Sequence, residues 1–304
     1  MIVDCHTHIW ESAEQVGTAS LGVSQRAGHG SEHSGNGCPD ASVEHHRRAT
    51  EPVDKTFVIG FKSRYLGVSV SSEFIFNYVR QSPDRLIGVA GIDPTNVDEA
   101  LDELQQAHAE YGMKAIAVSP AAQDFHPSDS RAMQVFSEAA RLRKPVLFQQ
   151  GIHFNCAAKM EFARPSLLDE VARDLPQLRM VIAHMGYPWI DECVVLLGKH
   201  PNVYADIASL IQRPWQAYNA LLAAYQYGVI DKLLFGSDFP FATPTKAIES
   251  LYRINHLVTG TNLPTIPRQS LVSIVERDAL SILGIEPTGF VSAKSSHAIL
   301  DQEP

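Results

Sequence analysis

The chain has 304 residues, 45% of them hydrophobic and 19% charged, and a formal net charge of −9. The acidic balance disfavours binding to nucleic acid or to an anionic membrane surface, and no segment approaches the roughly 18 consecutive apolar residues of a membrane-spanning helix. The four cysteines lie far apart and form no C-x-x-C pair, which argues against a disulfide scaffold and a cysteine zinc site.

Eight short apolar segments rich in β-branched residues recur along the chain. Most are continuous apolar runs without polar alternation, which is typical of strands covered on both faces in a parallel sheet. The predicted strands span residues 1–5, 56–60, 86–92, 115–118, 146–148, 180–183, 203–205 and 233–236.

Segments with helical periodicity alternate with these strands. They span residues 72–81, 97–111, 132–142, 166–175, 190–199, 215–227 and 245–258. No Gly-rich dinucleotide turn follows the first strand and no linker divides the series, so the pattern favours a closed (β/α)₈ TIM barrel over an open doubly wound sheet. We therefore predict one α/β domain over residues 1–285.

Two segments fall outside the alternation. Residues 11–50 are rich in Gly, Ser and polar residues and directly follow the first strand, where a barrel places its active-site face, so we predict a lid-like loop there. Residues 267–283 are predicted to form an extra C-terminal helix that ends at Gly284, and residues 286–304 a tail.

His6 and His8 lie at the end of the first predicted strand. Residues two apart in an extended chain point to the same side, so both imidazoles can face one point at the mouth of the barrel. Such a pair suits a divalent metal ion, although a single histidine is more often structural.

Polar residues also follow the sixth and eighth predicted strands. His184 comes directly after residues 180–183, and Asp238 comes after residues 233–236, where it would also suit a turn or a helix cap. Polar residues at the carboxyl ends of barrel strands point towards the active site. The sequence therefore predicts that three histidines and one carboxylate meet on one face of the barrel.

The segments Val-Asp-Cys-His-Thr-His at 3–8, Ile-Ala-His-Met-Gly-Tyr-Pro-Trp at 182–189 and Phe-Gly-Ser-Asp-Phe-Pro at 235–240 carry a family resemblance. They resemble the amidohydrolase-related, metal-dependent hydrolases of TIM-barrel fold, a branch of the amidohydrolase superfamily that includes aminocarboxymuconate-semialdehyde decarboxylase and the hydroxybenzoate decarboxylases. The resemblance implies that His6 and His8 are metal ligands, that Asp238 is a ligand that also exchanges a proton, and that His184 is a ligand or a general acid/base.

The fifth strand departs from the family pattern. The family usually has a histidine ligand there, whereas this chain has Gln149, whose neutral amide oxygen is a weaker donor than imidazole to an ion such as Zn²⁺. His153 is a candidate substitute, with an ordinary loop histidine as the alternative.

Three functions remain open from the sequence. The first is a metal-dependent hydrolase of a small amide, lactone or related carbonyl compound that uses metal-activated water, with Zn²⁺ as the expected cofactor. The second is a non-oxidative decarboxylase, a carbon–carbon lyase, of an aromatic or unsaturated carboxylic acid. The third is a metal-free lactonase or a non-catalytic binding barrel, which the glutamine at position 149 keeps open.

Several residues near the predicted strand ends are candidates for substrate binding. Arg64 and Arg164 could pair with a substrate carboxylate, and Trp10 could line an apolar wall. The expected partner is a small molecule, and a homodimer is compatible with the low charged fraction. Polar groups occupy the first ten residues, where a secretory signal would be apolar, so we expect a cytoplasmic protein.

Overall fold

A computed structural model describes residues 1–17, 39–151 and 155–286. Eight parallel strands form one sheet in chain order, which confirms the predicted (β/α)₈ barrel. A two-stranded antiparallel hairpin, which was not predicted, follows the second barrel strand. The strands are β1 Val3–His8, β2 Lys55–Ile59, β3 Phe61–Ser63, β4 Val68–Val70, β5 Leu86–Gly91, β6 Ala115–Val118, β7 Val146–Phe148, β8 Met180–Ile182, β9 Val203–Asp206 and β10 Leu233–Leu234; β3 and β4 form the hairpin.

The barrel closes where β1 meets the segment that follows β10. Cys5 N donates to Phe235 O at 2.9 Å, Asp238 N donates to His6 O at 3.0 Å, and His8 N donates to Phe239 O at 2.8 Å. We call these three hydrogen bonds the seam. Because β10 itself has only two residues, most of the closure is made by backbone groups of the predicted metal ligands.

Apolar residues fill both sides of the sheet. Val3, Cys5, Phe57 and Val89 belong to a cluster inside the barrel, which the last helix closes with Leu283 among others. Alternate residues of the same strands belong to the larger cluster beneath the helices. The strands are therefore buried on both faces, which explains their continuous apolar sequences.

The helices lie outside the barrel. They are α1 Val43–Ala49, α2 Ser72–Val79, α3 Val97–Ala109, α4 Pro120–Gln123, α5 Ser130–Arg141, α6 Leu168–Asp174, α7 Ile190–Lys199, α8 Pro214–Gln226, α9 Pro244–Tyr252, α10 Arg268–Val275 and α11 Ala279–Leu283. Among the described residues, none of them has both the length and the hydropathy to cross a membrane.

Two predicted segments differ from the observed elements. Residues 43–49 form α1 instead of loop, because the Ser42 hydroxyl caps the helix by accepting from His45 N and because His46 is buried. The predicted extra helix is two helices, since Asp278 begins α11 by capping Ser281 N. Residues 18–38 of the predicted lid, and 287–304 of the tail, lie outside the described residues.

The buried His46 makes the stability of the fold depend on pH. Burial, and secondarily the charge of His45, lowers the pKa of His46 from its ordinary 6.5 to about 3. The unfolded chain therefore binds a proton below pH 6.5 that the folded protein does not, so this contribution to stability is complete above pH 6.5 and falls as the pH drops towards 3. Between pH 7.5 and pH 5 we expect wild type to lose about 2 kcal/mol of unfolding free energy relative to His46→Gln. Urea unfolding with a chelator present checks this, and parallel pH curves for the two proteins would contradict it.

Candidate metal and active site

A β-bulge at the end of β1 orients the first two predicted ligands. Asp4 pairs with Thr56 and Thr7 with Val58, so β1 has one residue more than β2 between these pairs. The Asp4 carboxylate fixes the bulge by accepting from His6 N at 3.2 Å and from Ser237 N at 2.9 Å. In a regular strand successive side chains point to opposite faces, so His6 would point away from the barrel axis after the inward-facing Cys5. The bulge interrupts this alternation and keeps His6 from pointing away.

His6 and His8 direct their Nε2 atoms at each other across 3.1 Å. His6 Nδ1 lies 2.8 Å from Asp206 Oδ2, and His8 Nδ1 lies 3.3 Å from Ile59 O. Carboxylate and carbonyl oxygens only accept, so each Nδ1 carries the hydrogen and each Nε2 holds the lone pair. Two lone pairs at this separation repel each other unless a proton or a metal cation lies between them.

The pKa values of the two imidazoles differ in a way that suits this arrangement. Burial, reinforced by the charge of His6, lowers the pKa of His8 to about 3 and keeps that ring neutral. Burial also acts to lower the pKa of His6, but the Asp206 carboxylate outweighs it and raises the pKa. The Asp206 carboxylate therefore favours a positive charge at His6, where a proton and a metal ion would compete for Nε2.

His184 and Asp238 complete the cluster from β8 and β10. His184 donates its backbone N–H to Asp206 Oδ1 at 2.9 Å, and its Nδ1 lies 3.0 Å from Ala208 O, so Nε2 is again the basic nitrogen. One ligand atom each from His6, His184 and Asp238 lie within 4.8 Å of one another. His184 and Asp238 both have left-handed backbone, with φ of 56° and 64°. Such strain is common where the surrounding structure positions a functional side chain.

Asp206, at the end of β9, organises two of the three imidazoles. It is fully buried and accepts from His6 Nδ1, from His184 N and from Ala208 N. Burial opposes its charged form, but the attraction and hydrogen bond of His6 outweigh burial and hold the pKa of Asp206 below its ordinary value. Asp93, which follows β5, holds no imidazole in this way, because its carboxylate accepts from Arg64 N and Thr95.

Asp238 has the proton affinity of a general acid/base. Burial, the largest effect, raises the pKa of Asp238 from 3.8 to about 7, against the lowering effects of His6, a Ser209 hydrogen bond and Arg213. A carboxylic acid with a pKa near neutrality can both accept and release a proton at physiological pH.

Gln149 reaches the cluster from the end of β7. Its side-chain Nε2 lies 3.1 Å from His6 Nε2. Turning the amide by 180° would place Oε1 there, because the two amide atoms occupy equivalent positions. His6, His184 and Asp238 form the group whose ligand atoms lie together, and His8 and Gln149 adjoin it at His6 Nε2. Imidazole, carboxylate and amide donors of this kind fit a divalent ion such as Zn²⁺ or Mn²⁺.

A small cavity opens beside the ligands. It encloses about 120 Å³ and is lined by His8, Gln149 and the mostly apolar residues Gly60, Phe61, Ala117, Val118 and Ser119. This is somewhat smaller than an engineered apolar cavity of about 150 Å³ that holds benzene, so the space has room for one small ring at most. A larger open groove of about 910 Å³, which includes Gln105 and Met133, contains none of the site residues.

The predicted substrate-binding residues lie at the rim. Arg64 forms an ion pair with Glu99, and Arg164 forms one with Glu192. Trp10 is buried, and its ring centroid lies 6.3 Å from that of Phe241. Within the described ranges neither arginine is bonded to a residue of the ligand cluster. His153 lies outside the described residues.

Two residues after β9 were missed from the sequence. Ser209, with φ of 57°, hydrogen-bonds to Asp238. Arg213 Nη1 lies 3.3 Å from Ser209 O and Oγ, and its charge lowers the pKa of Asp238. Arg64 and Arg164 also lie in segments that follow a barrel strand, so no sequence signal singles out Arg213.

Comparison with known proteins agrees with this fold. The amidohydrolase family model matches residues 3–263. Among solved structures, an uncharacterised TIM-barrel protein from Bordetella bronchiseptica superposes with a TM-score of 0.72 at 19% identity, covering 93% of this chain and 98% of its own. A probable 2-pyrone-4,6-dicarboxylic acid hydrolase from Acinetobacter baumannii, with citric acid bound, has a TM-score of 0.60 at 16% identity and covers 93% and 99% of the two chains.

A third similar structure is a dihydroxybenzoic acid decarboxylase from Polaromonas with manganese and 2-nitroresorcinol bound. It has a TM-score of 0.64 at 13% identity and covers 93% of this chain and 97% of its own. None of the curated proteins matches the chain. Because the family model covers most of the chain, and the ligand cluster lies at the carboxyl ends of its barrel strands, this protein is an enzyme of the amidohydrolase family.

Proposed function

We propose that the protein is a metal-dependent hydrolase of a small amide, lactone or related carbonyl compound. The observation that supports this most directly is shared by all three imidazoles: each Nδ1 lies against an oxygen acceptor, so each Nε2 is the metal-binding nitrogen. Histidines that bind a metal usually donate the hydrogen of their other ring nitrogen to such an oxygen. Asp238 adds the carboxylate ligand, and Gln149 would contribute its amide oxygen.

The reaction follows from the groups around this centre. A divalent ion held there would polarise a carbonyl and lower the pKa of water, so that hydroxide becomes available near pH 7. Asp238 would accept the proton from the attacking water and pass it to the leaving group, because its carboxylate lies with His6 and His184 in the group of atoms that would hold the ion. His184 would stabilise the oxyanion or donate a proton.

The surroundings of the ligands suggest a substrate with one ring and a carboxylate. The cavity lies towards the first, second, fourth and fifth barrel strands, whereas Arg213 follows the seventh. A ring in the cavity would therefore place a polar substituent across the ligands, towards Arg213. We propose Arg213 for binding that carboxylate because its charge acts on Asp238, whereas Arg64 and Arg164 are bonded to no residue of the candidate ligand cluster within the described ranges. Trp10 and His153 also stay proposals for substrate binding. Trp10 packs into the core, and His153 lies outside the described residues.

A decarboxylase of an aromatic or unsaturated acid is the second candidate. The apolar, ring-sized cavity beside His8 favours it, since the same ligands can orient a carboxylated ring. Asp238 or His184 would then deliver a proton to the carbon that loses carbon dioxide. The products distinguish the two reactions, because only the decarboxylase releases carbon dioxide.

Metal content tests the proposal first. We expect purified protein to hold near one equivalent of a divalent ion, Zn²⁺ or Mn²⁺, and His6→Ala to lose it, because His6 Nε2 is at the centre of the cluster. Elemental analysis measures both proteins, followed by a screen of lactones, amides and hydroxybenzoates. Metal-free wild type with full lactonase activity would overturn the proposal and favour a metal-independent reaction, in which the Gln149 amide donates to His6.

A further inference from the structure

A chain of buried hydrogen bonds runs behind the two β1 histidines. The Thr7 hydroxyl lies 2.6 Å from Phe57 O and 2.8 Å from His46 Nε2, and His46 Nδ1 lies 2.9 Å from the Tyr78 hydroxyl. A carbonyl only accepts, so Thr7 spends its one hydrogen on Phe57 O. His46 Nε2–H must then donate to Thr7, and the Tyr78 hydroxyl donates to His46 Nδ1. Each hydrogen bond of the chain therefore has a defined direction.

The same imidazole covers the seam on the outside of the barrel. The ring centroid of Phe239 lies 5.1 Å from that of His46, at an interplanar angle of 86°. Phe239 follows Asp238 directly, its carbonyl accepts from His8 N, and it forms a parallel bridge with Thr7. His46 thus contacts two residues that adjoin candidate ligands. Thr7 lies between His6 and His8, and Phe239 directly follows Asp238.

The seam is short, so contacts from outside the barrel matter to it. β10 pairs with β9 through only two residues, and on the β1 side the three seam hydrogen bonds are joined by one side-chain bond, from Ser237 N to Asp4 Oδ1. Thr7 and His46 are both fully buried, so a lost partner would leave an unsatisfied polar group in an apolar layer. The hydrogen bonds of His46 to Thr7 and Tyr78 therefore hold α1 in one position against the seam.

We propose that His46 is a positioning residue that acts through Thr7 and Phe239 to fix the spacing between the His6 and His8 pair and Asp238. The part of this proposal that concerns metal affinity rests on the proposed metal-dependent function. The part that concerns the seam does not.

Hydrogen exchange in the metal-free protein tests the seam directly. In His46→Phe, which keeps an aromatic ring against Phe239 but makes neither hydrogen bond, we expect the amides of His8 and Asp238 to exchange about 10-fold faster than in wild type. Amides of β6 and β7, across the barrel, should change little. Tyr78→Phe removes one bond of the chain, should give a smaller effect in the same direction, and serves if His46→Phe does not fold. Unchanged exchange at His8 and Asp238 in a folded variant would overturn the proposal.

Cobalt binding tests the consequence for the ligands. We expect Co²⁺ to bind His46→Phe about 10-fold more weakly than wild type, with an altered visible absorption spectrum, as outer partners of metal ligands typically affect affinity. Tyr218→Phe is the matched control, because it removes a tyrosine hydroxyl bond, to Pro264 O, that is no part of the chain behind β1. Wild-type affinity and spectrum in folded His46→Phe would refute the positioning role. Failure of wild type itself to bind any divalent ion would refute the proposed function, while the exchange experiment would still decide the role of His46 at the seam.

Discussion

Asp238→Asn should lower kcat/KM at least about 100-fold, and as much as about 10⁴-fold, with little loss of stability. Asparagine keeps the size of the side chain but cannot take up a proton near pH 7, which is the property that burial gives to Asp238. The substitution also replaces a charged ligand by a neutral one, so metal affinity should fall as well. Single-turnover kinetics at saturating metal would separate the lost proton transfer from the weaker metal binding.

Asp93→Asn is the matched control for this substitution. Asp93 is also a buried carboxylate at the end of a barrel strand, but it accepts from Arg64 N and Thr95 and touches none of the ligands. We expect its kcat/KM to stay within about threefold of wild type. Equal losses in both variants would mean that the effect of Asp238→Asn is structural, and full activity in Asp238→Asn would exclude Asp238 as the proton carrier.

The barrel was predictable because its determinants are local. Strands buried on both faces require uninterrupted apolar runs, such as residues 146–148 and 180–182, and these runs alternate with segments of helical period. The hairpin β3–β4 was missed because its two strands, Phe61–Ser63 and Val68–Val70, include polar residues and so lack the continuous apolar run of the barrel strands. The helix Val43–Ala49 was missed because its sequence is mostly polar and its burial depends on His46, whose partners are remote in the chain.

The candidate ligands were predictable for a different reason. In a parallel barrel all carboxyl strand ends meet at one face, so position alone places His6, His8, His184 and Asp238 together. Position does not say which polar groups pair with one another. Arg64 and Arg164 are neutralised by glutamates on neighbouring helices, whereas Arg213 lies near Asp238, and only the folded structure distinguishes them.

Asp206→Asn should weaken divalent metal binding about 10- to 100-fold and reduce activity in parallel, although Asp206 lies behind the ligands. Its carboxylate accepts from three donors: His6 Nδ1 on one oxygen, and His184 N and Ala208 N on the other. An asparagine oxygen that keeps the two backbone donors turns its NH₂ towards His6. His6 must then accept at Nδ1 and carry its hydrogen on Nε2, where the lone pair for the metal is needed.

The tautomer of His6 is the quantity to measure. Imidazole ¹⁵N shifts of the metal-free protein should show His6 Nδ1 protonated in wild type and Nε2 protonated in Asp206→Asn, and titration with Co²⁺ gives the loss of affinity. Asp169→Asn is the control, because Asp169 accepts from His200 Nε2 at 2.7 Å in a similar pair that is remote from the barrel mouth. If Asp206→Asn bound Co²⁺ as tightly as Asp169→Asn does, the carboxylate would have no part in selecting the metal-binding nitrogen. Because Asp206 fixes His6 through its ring and His184 through its backbone, a large effect of this one substitution would show that the ligands depend on β9, a strand that supplies none of them.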